Sequence, residues 1–286
     1  MKSRTNEGRE GGNQAAPRAR LGFLQLRPRF GRPEENLASA AAAIERAPEF
    51  DVLVLPELFA SGYAFRDRTE AFALAEDEDG PTTRFLREIA ARRGAWLAAG
   101  YAERDGGALY NSARLVGPRG ETFLYRKVHL FDREREIFDP GDRPFRAVDL
   151  RVPTGVLRAG LMICYDWRFP ESARSLALDG AEVLLHPSNL VLPNCQDAMI
   201  VRCLENRVYS ITANRTGVDD RGDFSIEFTG RSRIVGPDGA VLATAPIDAD
   251  ALEIVDVNLA PARDKRINTR NDLWQDRRPE AYRPDR

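Results

Sequence analysis

Apolar and polar positions alternate along the chain in two successive blocks that follow the same order. Short apolar runs of strand length are separated by segments whose apolar residues recur at helical spacing. In the first block the predicted elements are a strand at Leu21–Leu26, a helix with Leu37, Ala41 and Ile44 on one face, a buried strand at Asp51–Pro56, a helix carrying Phe85, Leu86 and Ile89 that ends at Gly94, a strand at Trp96–Gly100, and strands Ser112–Val116 and Glu121–Tyr125 around Gly117–Gly120. The turn residues between the last two strands predict a hairpin.

The second block repeats this order. Its predicted elements are a strand at Val156–Ile163, a helix at Pro170–Leu178 closed by Gly180, a strand at Glu182–Pro187, a helix at about Asp197–Arg207, a strand at Tyr209–Ala213, and a hairpin around Gly236–Gly239. The blocks also match locally, because Asp51–Pro56 resembles Glu182–Pro187 and Arg114–Pro118 resembles Arg233–Pro237. We therefore predict an α/β fold, a four-layer α-β-β-α sandwich of two pseudo-symmetric β-α-β-α-β-β halves.

Three segments fall outside the repeated pattern. Residues 1–19 are polar and Gly-rich and predict a disordered leader. The segment Lys127–Pro153 has no counterpart in the second block and predicts an inserted loop over the rim of the sandwich. Residues 20–257 would then form the main domain, and the charged tail 258–286, with Trp274 and Tyr282, predicts either an arm that packs on a neighbouring subunit or a frayed end.

Composition limits the partners and the compartment. Lys plus Arg (42) nearly balances Asp plus Glu (44), so the net charge of −2 gives no field that attracts nucleic acid or an anionic membrane. A small neutral or acidic metabolite is the expected partner. Three cysteines without a signal peptide indicate reduced thiols in the cytoplasm, and no apolar stretch approaches a membrane span. Two histidines and no CxxC spacing predict no metal site.

Three reactive side chains follow three predicted strands. Glu57 ends the Val-Leu-Val-Leu-Pro strand, Lys127 ends the Thr-Phe-Leu-Tyr strand, and Cys164 ends the Gly-Leu-Met-Ile strand, just before a helix that opens at Pro170. The carboxyl ends of strands line the ligand crevice of an α/β sheet. A thiol there needs a cation that favours thiolate and a base that accepts its proton. The three residues together therefore predict a cysteine nucleophile, although each alone has a structural explanation.

These segments resemble motifs of the nitrilase, or carbon–nitrogen hydrolase, superfamily. The matching stretches are Leu55–Phe59 (LPELF), Tyr125–Phe131 (YRKVHLF), Gly160–Glu171 (GLMICYDWRFPE), Pro187–Asn189, Glu205–Arg207 with Ala213–Arg215, and Gly230–Ser232. They occur in order, and the resemblance covers roughly residues 20–286, including an arm at Arg263–Arg278.

The resemblance implies that Glu57, Lys127 and Cys164 form a Glu-Lys-Cys triad. It also implies a second glutamate, Glu134, with Glu136 as the alternative one turn later. Lys127 and the backbone N–H of Tyr165 would stabilise the oxyanion. The implied activity is hydrolysis of a small carboxamide by a homodimer or higher homo-oligomer without a cofactor, and dicarboxylic acid monoamides, as in ω-amidases, are one candidate substrate class. Nitrilases and N-carbamoyl amidohydrolases share these residues, so nitrile and carbamoyl substrates remain alternatives, as does a binding or scaffold protein that lacks turnover.

The remaining candidates depend on proximity to the motifs. Phe59, Tyr63, Trp167 and Asn189 are predicted to wall the substrate pocket, although the aromatic residues among them are almost equally well explained as core. Candidates for binding a substrate carboxylate are Arg168, Arg215 and Arg231. His129 and His186 leave a papain-like Cys-His dyad as a minor alternative. Cys195 and Cys203 are predicted to be packing residues.

Overall fold

Two six-stranded β-sheets with helices on their outer faces make up the computed structural model, which describes residues 17–282. The strands are β1 (Arg18–Gln25), β2 (Val52–Val54), β3 (Trp96–Asp105), β4 (Ala108–Val116), β5 (Thr122–Arg126), β6 (Ala147–Val152), β7 (Gly155–Leu161), β8 (Val183–Pro187), β9 (Tyr209–Ala213), β10 (Val218–Asp220), β11 (Ser225–Glu227), β12 (Arg233–Val235), β13 (Val241–Thr244) and β14 (Ala251–Asn258). The helices are α1 (Pro33–Glu45), α2 (Arg68–Leu74), α3 (Pro81–Arg93), α4 (Glu134–Ile137), α5 (Pro170–Leu178), α6 (Cys195–Asn206) and α7 (Ala260–Arg263), with short 3-10 helices at Cys164–Arg168 and Pro279–Ala281.

The two sheets have matching topology. The first has the order β14-β1-β2-β3-β4-β5 and the second has the order β13-β12-β9-β8-β7-β6. Strands β1, β2 and β3 are parallel to one another, as are β7, β8 and β9, whereas the outer strands pair antiparallel. The β10–β11 hairpin stands apart from both sheets.

Alternation of side chains along the strands separates the layers. Val52 and Val54 belong to the apolar core between the two sheets, whereas Leu53 packs with Ile44 of α1 and Leu86 of α3 on the helix side. Successive side chains of a strand point to opposite faces, so a strand that is buried on both sides is apolar throughout. The predicted four-layer α-β-β-α sandwich is confirmed.

Local signals in the sequence explain where the helices begin and end. Both α3 and α5 have proline in their first turn, where the missing N–H costs no hydrogen bond. Helix α3 ends at Gly94, which adopts a left-handed conformation with φ +63°. Glycine reaches that conformation without steric penalty from a Cβ atom.

The prediction that Lys127–Pro153 is an inserted loop is wrong in part. Its last residues form β6, which pairs antiparallel with β7 at the edge of the second sheet, and Glu134–Ile137 form α4. Strand β14 occupies the equivalent edge of the first sheet, beside β1. Only Ala147 and Leu150 of β6 are buried, so the apolar pattern of this segment is too short to predict a strand from the sequence.

The amino-terminal boundary also differs from the prediction. Strand β1 begins at Arg18, inside the predicted leader, and residues 1–16 lie outside the described residues. The tail contacts its own chain. Lys265 Nζ donates hydrogen bonds to the carbonyl oxygens of Asn206 (3.0 Å) and Arg207 (2.8 Å). The guanidinium of Arg174 lies over the Trp274 ring, with its Cζ 5.1 Å from the ring centroid. In residues 17–282 no helix combines the length and apolarity that crossing a membrane requires.

Candidate active site

The three reactive residues that follow β2, β5 and β7 come together in the interior. Glu57 is fully buried, Lys127 is 1% exposed and Cys164 is 6% exposed. Gly100 of β3 allows the backbone after β2 to approach, because a Cβ at this position would lie 2.5 Å from the Cα of Glu57.

The ammonium group of Lys127 bridges two buried carboxylates. Its Nζ lies 2.8 Å from Glu57 Oε1 and 2.8 Å from Glu134 Oε1. Glu134 also accepts hydrogen bonds from the Tyr63 hydroxyl (2.7 Å) and from the Phe131 N–H (3.2 Å). Glu136 instead points outward, with its side chain 74% exposed. Of the two glutamates considered from the sequence, Glu134 is therefore the one in contact with Lys127.

Charge balance keeps Lys127 protonated. Burial alone lowers the pKa of Lys127, but the carboxylates of Glu134 and Glu57 outweigh it, so the pKa is raised above its usual value. Burial raises the pKa of Glu134, and Lys127 opposes this shift. The two carboxylates therefore keep the Lys127 ammonium charged and in place near the cysteine.

Glu57 has one occupied and one free oxygen. Oε1 accepts hydrogen bonds from Lys127 and from the side-chain amide of Asn111 at 2.6 Å. Oε2 is buried, and in the described part of the chain no donor lies within hydrogen-bonding distance of it. Asn189 donates its side-chain N–H to the backbone carbonyl of Glu57 at 2.9 Å. A free carboxylate oxygen in this position can accept a proton.

Cys164 lies on a sharp turn between β7 and α5. Its φ of +40° is unusual for a residue other than glycine and costs backbone energy that the surrounding contacts must offset. The thiol donates to the carbonyl oxygen of Asn189 at 3.6 Å. Burial and the charge of Glu57 raise the pKa of Cys164 well above its usual value, against the opposing effect of Lys127. The resting sulfur is therefore a thiol, and attack requires a base.

A buried carboxylate ties this turn to the segment after β5. Asp166 accepts hydrogen bonds from the Ile163 N–H (2.8 Å) and from the Tyr125 hydroxyl (2.7 Å). Its other oxygen lies 2.7 Å from His129 Nδ1. His186 Nε2 contacts the Cys164 carbonyl oxygen at 2.9 Å. Each imidazole has a partner other than the sulfur, which leaves the Cys-His dyad without support.

A cavity of about 480 Å³ ends at Glu134 and has a largely apolar wall. Its lining residues come from both halves of the chain: Tyr63, Ala64, Phe65, Phe131, Asp132, Arg133, Glu134, Ile137, Phe138, Val191, Phe224, Ser225, Ile226 and Glu227. This volume is typical of pockets for small molecules. The cavity therefore connects the buried charges with the outside.

Two of the four predicted pocket residues lie at the site and two do not. Tyr63 lines the cavity and Asn189 contacts both Cys164 and Glu57. Phe59 instead packs on the helix side of the first sheet against Phe85, and Trp167 lies in the main core, so neither lines the cavity. Both lie within the sequence stretches Leu55–Phe59 and Gly160–Glu171, so membership of a motif does not by itself place a side chain at the cavity.

The three arginines proposed from sequence as carboxylate ligands do not line the cavity. Arg215 is buried in an ion pair with Asp219 at 2.8 Å, and Arg168 lies over the Trp167 ring. Arg133 lines the cavity instead. Arg133 is not predicted from the sequence, because it belongs to none of the matched motifs. Its place at the start of α4 brings it to the cavity.

The other cysteines are remote from this chemistry. Cys195 and Cys203 are fully buried on α6, and the Cys203 thiol donates to Ser210 Oγ at 3.1 Å. This placement agrees with a packing role. Within residues 17–282 no group of three or more His, Cys, Asp or Glu side chains is arranged to hold a metal ion.

Comparison with known proteins assigns the family. A family model described as carbon–nitrogen hydrolase matches residues 20–267. A nitrilase of Pyrococcus abyssi is 45% identical over 266 residues, covering 92% of this chain and 98% of that protein, and an (R)-stereoselective amidase of a Pseudomonas species is 36% identical over 244 residues, covering 84% and 85%.

A solved structure is also similar. It is a mutant amidase from Nesterenkonia sp. AN1 with the acetamide moiety of fluoroacetamide added covalently at its active-site cysteine, and it superposes with a TM-score of 0.75 at 28% identity over 93% of this chain and 96% of that one. The chain therefore belongs to the carbon–nitrogen hydrolase family and is a hydrolase of the nitrilase superfamily.

Proposed function

We propose that the protein hydrolyses the C–N bond of a small carboxamide through a thioester on Cys164, releasing ammonia and a carboxylic acid. The observation that carries this proposal is the Lys127 ammonium, which lies 2.8 Å from the buried carboxylates of Glu57 and Glu134 and close to the Cys164 thiol. Glu134 also lines the cavity. The covalent acetamide adduct at the cysteine of the Nesterenkonia amidase supports a nucleophilic role for the cysteine here.

The first step uses the free oxygen of Glu57. Its Oε2 accepts the thiol proton while Cys164 Sγ attacks the amide carbon, and the carbonyl π electrons move to oxygen. Lys127 and the backbone N–H of Tyr165 stabilise the resulting oxyanion. The tetrahedral intermediate therefore forms next to a positive charge that is already in place.

Collapse of this intermediate releases ammonia. The oxyanion re-forms the carbonyl, the C–N bond breaks, and the protonated Glu57 gives its proton to the leaving nitrogen. Water then enters, Glu57 removes a proton from it, and the resulting hydroxide attacks the thioester. The C–S bond breaks, the sulfur takes back a proton from Glu57, and the acid leaves. Glu134 holds Lys127 in position and orients the substrate nitrogen.

The cavity wall favours an apolar acyl group. Phe65, Phe131, Phe138 and Phe224 line its largely apolar wall, and Asp132 and Glu227 add negative charge that repels a carboxylate. Each buried methylene of a substrate contributes about 0.8 kcal/mol. We therefore propose uncharged carboxamides with an apolar acyl chain as the preferred substrates.

Arg133 carries the second candidate, an ω-amidase-like activity on dicarboxylic acid monoamides. Among residues 17–282 it is the one basic side chain that lines the cavity, but the side chain is half exposed and its guanidinium already donates to the carbonyl oxygen of Arg66 at 2.8 Å. A substrate carboxylate would have to compete with that contact.

A substrate panel separates these candidates. Ammonia release should be measured with phenylacetamide, succinamic acid, the matching nitrile phenylacetonitrile, and an N-carbamoyl amino acid. We expect kcat/KM for phenylacetamide to exceed that for succinamic acid by at least about tenfold. A difference of one or two groups between substrates in an apolar pocket is enough for discrimination of this size. Arg133→Met should leave phenylacetamide hydrolysis unchanged. If succinamic acid is preferred, and Arg133→Met removes that preference, the ω-amidase-like candidate is correct.

The nitrile and carbamoyl alternatives use the same residues. The similarity to a protein named nitrilase in Pyrococcus abyssi is the observation that favours a nitrile. A nitrile turned over faster than the matching amide would replace the amidase proposal. Absence of ammonia from every compound, with an intact fold, would leave a binding function.

We also propose that the protein is a cytoplasmic homodimer with its sandwiches side by side. All three cysteines are free, as is typical of a cytoplasmic protein. On α6, Val201 and Leu204 are 49% and 54% exposed. Exposed apolar side chains on one helix are suited to burial against a second copy. Light scattering at micromolar concentration should give at least twice the 32.0 kDa mass of one chain; the mass of one chain would contradict a dimer.

A further inference from the structure

His186 is a buried titratable residue that the proposed mechanism leaves without a role. It lies near the end of β8, is fully buried, and faces the turn that carries Cys164. The parallel register of β8 and β9 places it beside Thr212, and His186 Nδ1 lies 3.0 Å from Thr212 Oγ1. A polar imidazole in the core requires an explanation, because burying an apolar side chain at this position would cost less free energy.

The hydrogen bonds define the tautomer of His186. Nε2 lies 2.9 Å from the backbone carbonyl oxygen of Cys164, which can only accept, so Nε2 carries the hydrogen. Nδ1 then accepts from the hydroxyl of Thr212. Ser188 Oγ lies 3.1 Å from Nε2 and shares this donor. Burial lowers the pKa of His186 to about 4, so the ring is neutral at neutral pH.

The carbonyl held by His186 belongs to the peptide unit whose N–H is the second oxyanion donor. In a planar trans peptide the C=O of one residue and the N–H of the next point in opposite directions. A hydrogen bond on the oxygen of Cys164 therefore restricts the rotation that aims the N–H of Tyr165. This restriction matters here because Cys164 has a φ of +40°, a strained backbone conformation that persists only where surrounding contacts hold it.

We infer that His186 is a positioning residue that fixes the Cys164–Tyr165 peptide so that the Tyr165 N–H points at the substrate oxygen. This inference rests on the proposed function, in which Tyr165 donates to the oxyanion. His186 touches neither the substrate nor the sulfur. It acts from the opposite side of the peptide, through a neutral N–H that the surrounding strands β8 and β9 hold in place.

The test compares two substitutions at the same position. His186→Leu removes the donor and keeps an apolar volume, whereas His186→Gln places an amide N–H near the position of Nε2. We expect His186→Leu to lower kcat by about 10- to 100-fold, with KM changed by less than about twofold, because an oxyanion donor acts only in the transition state. His186→Gln should recover most of the lost kcat.

Alkylation of Cys164 by iodoacetamide gives a readout that a general packing defect would not reproduce. Displacement of iodide forms no oxyanion, so its rate in His186→Leu should equal that of the wild type, with the site of labelling checked by mass spectrometry. Cys203→Ala, a core substitution that does not contact the turn, should lower the melting temperature without changing kcat.

The outcomes separate this inference from the proposed function. Lack of Cys164-dependent ammonia release in the wild type would reject the proposed function itself. With that activity present, wild-type kcat in His186→Leu would overturn the positioning role. A parallel loss of kcat and alkylation rate would also overturn it, because that result would mean that the sulfur itself had moved. Failure of His186→Gln to recover activity would exclude the N–H as the acting group.

Discussion

Replacing Cys164 with alanine is expected to abolish ammonia release and leave the fold intact. The thiol makes one weak hydrogen bond, 3.6 Å to the carbonyl oxygen of Asn189, and the change to alanine removes a single sulfur atom from the core, so the fold should persist. Without sulfur no thioester forms, and loss of a nucleophile in a unit of this kind lowers kcat by about 10⁶-fold. Steady-state ammonia assays and a thermal melt measure the two effects.

Mass spectrometry of the wild-type enzyme, quenched during turnover, should show an acyl adduct on Cys164. Cys195→Ala and Cys203→Ala serve as matched controls, because both thiols are fully buried on α6 and should be dispensable for catalysis. Residual turnover in Cys164→Ala, or inactivation through alkylation of Cys195 or Cys203, would show that the nucleophile has been assigned wrongly.

Replacing Lys127 with methionine should have the second largest effect. The change keeps the length of the side chain but leaves Glu57 and Glu134 buried and facing each other without a cation. We expect kcat to fall by at least 10²-fold, about 3 kcal/mol of barrier, because one oxyanion donor is worth that much. Breaking a buried ion pair should also lower the free energy of unfolding by about 3–5 kcal/mol.

Both effects must be measured well below the melting temperature of the variant, with circular dichroism to confirm folding. Lys265→Met is the matched control, because this partly buried lysine binds carbonyl oxygens of the α6 end and lies outside the site. It should retain the wild-type kcat. Near-normal turnover of a folded Lys127→Met enzyme would remove the lysine from the mechanism.

Periodicity identified the elements that are long or fully buried. Helix α5 and strand β9 match the predicted bounds, and the hairpin after Val116 is present, because proline, glycine and continuous apolar runs mark them clearly. Strands β6 and β14 lie at sheet edges and are only half buried. Edge strands carry polar residues on their exposed face, and that removes the pattern on which the prediction depends.

The site shows the same division. The sequence predicts that Glu57, Lys127 and Cys164 meet because each follows the carboxyl end of a strand. Asn111, which donates to Glu57, and His186, which holds the Cys164 carbonyl, lie within strands, where sequence alone does not indicate which side chain reaches the site. Phe59 illustrates the opposite error: it lies two residues after Glu57 in the same motif, but the intervening turn, in which Leu58 has a φ of +48°, places its side chain on the helix side of the first sheet.

The antiparallel pair of β1 and β14 joins the two ends of the domain, since Arg18 lies opposite Asn258. As the ribosome makes the chain, the first sheet keeps an unprotected edge until its final strand emerges, so folding of the amino-terminal half cannot finish cotranslationally. Such distant pairing raises the contact order and slows folding. The domain consequently cannot be divided into two autonomous units, despite its internal symmetry.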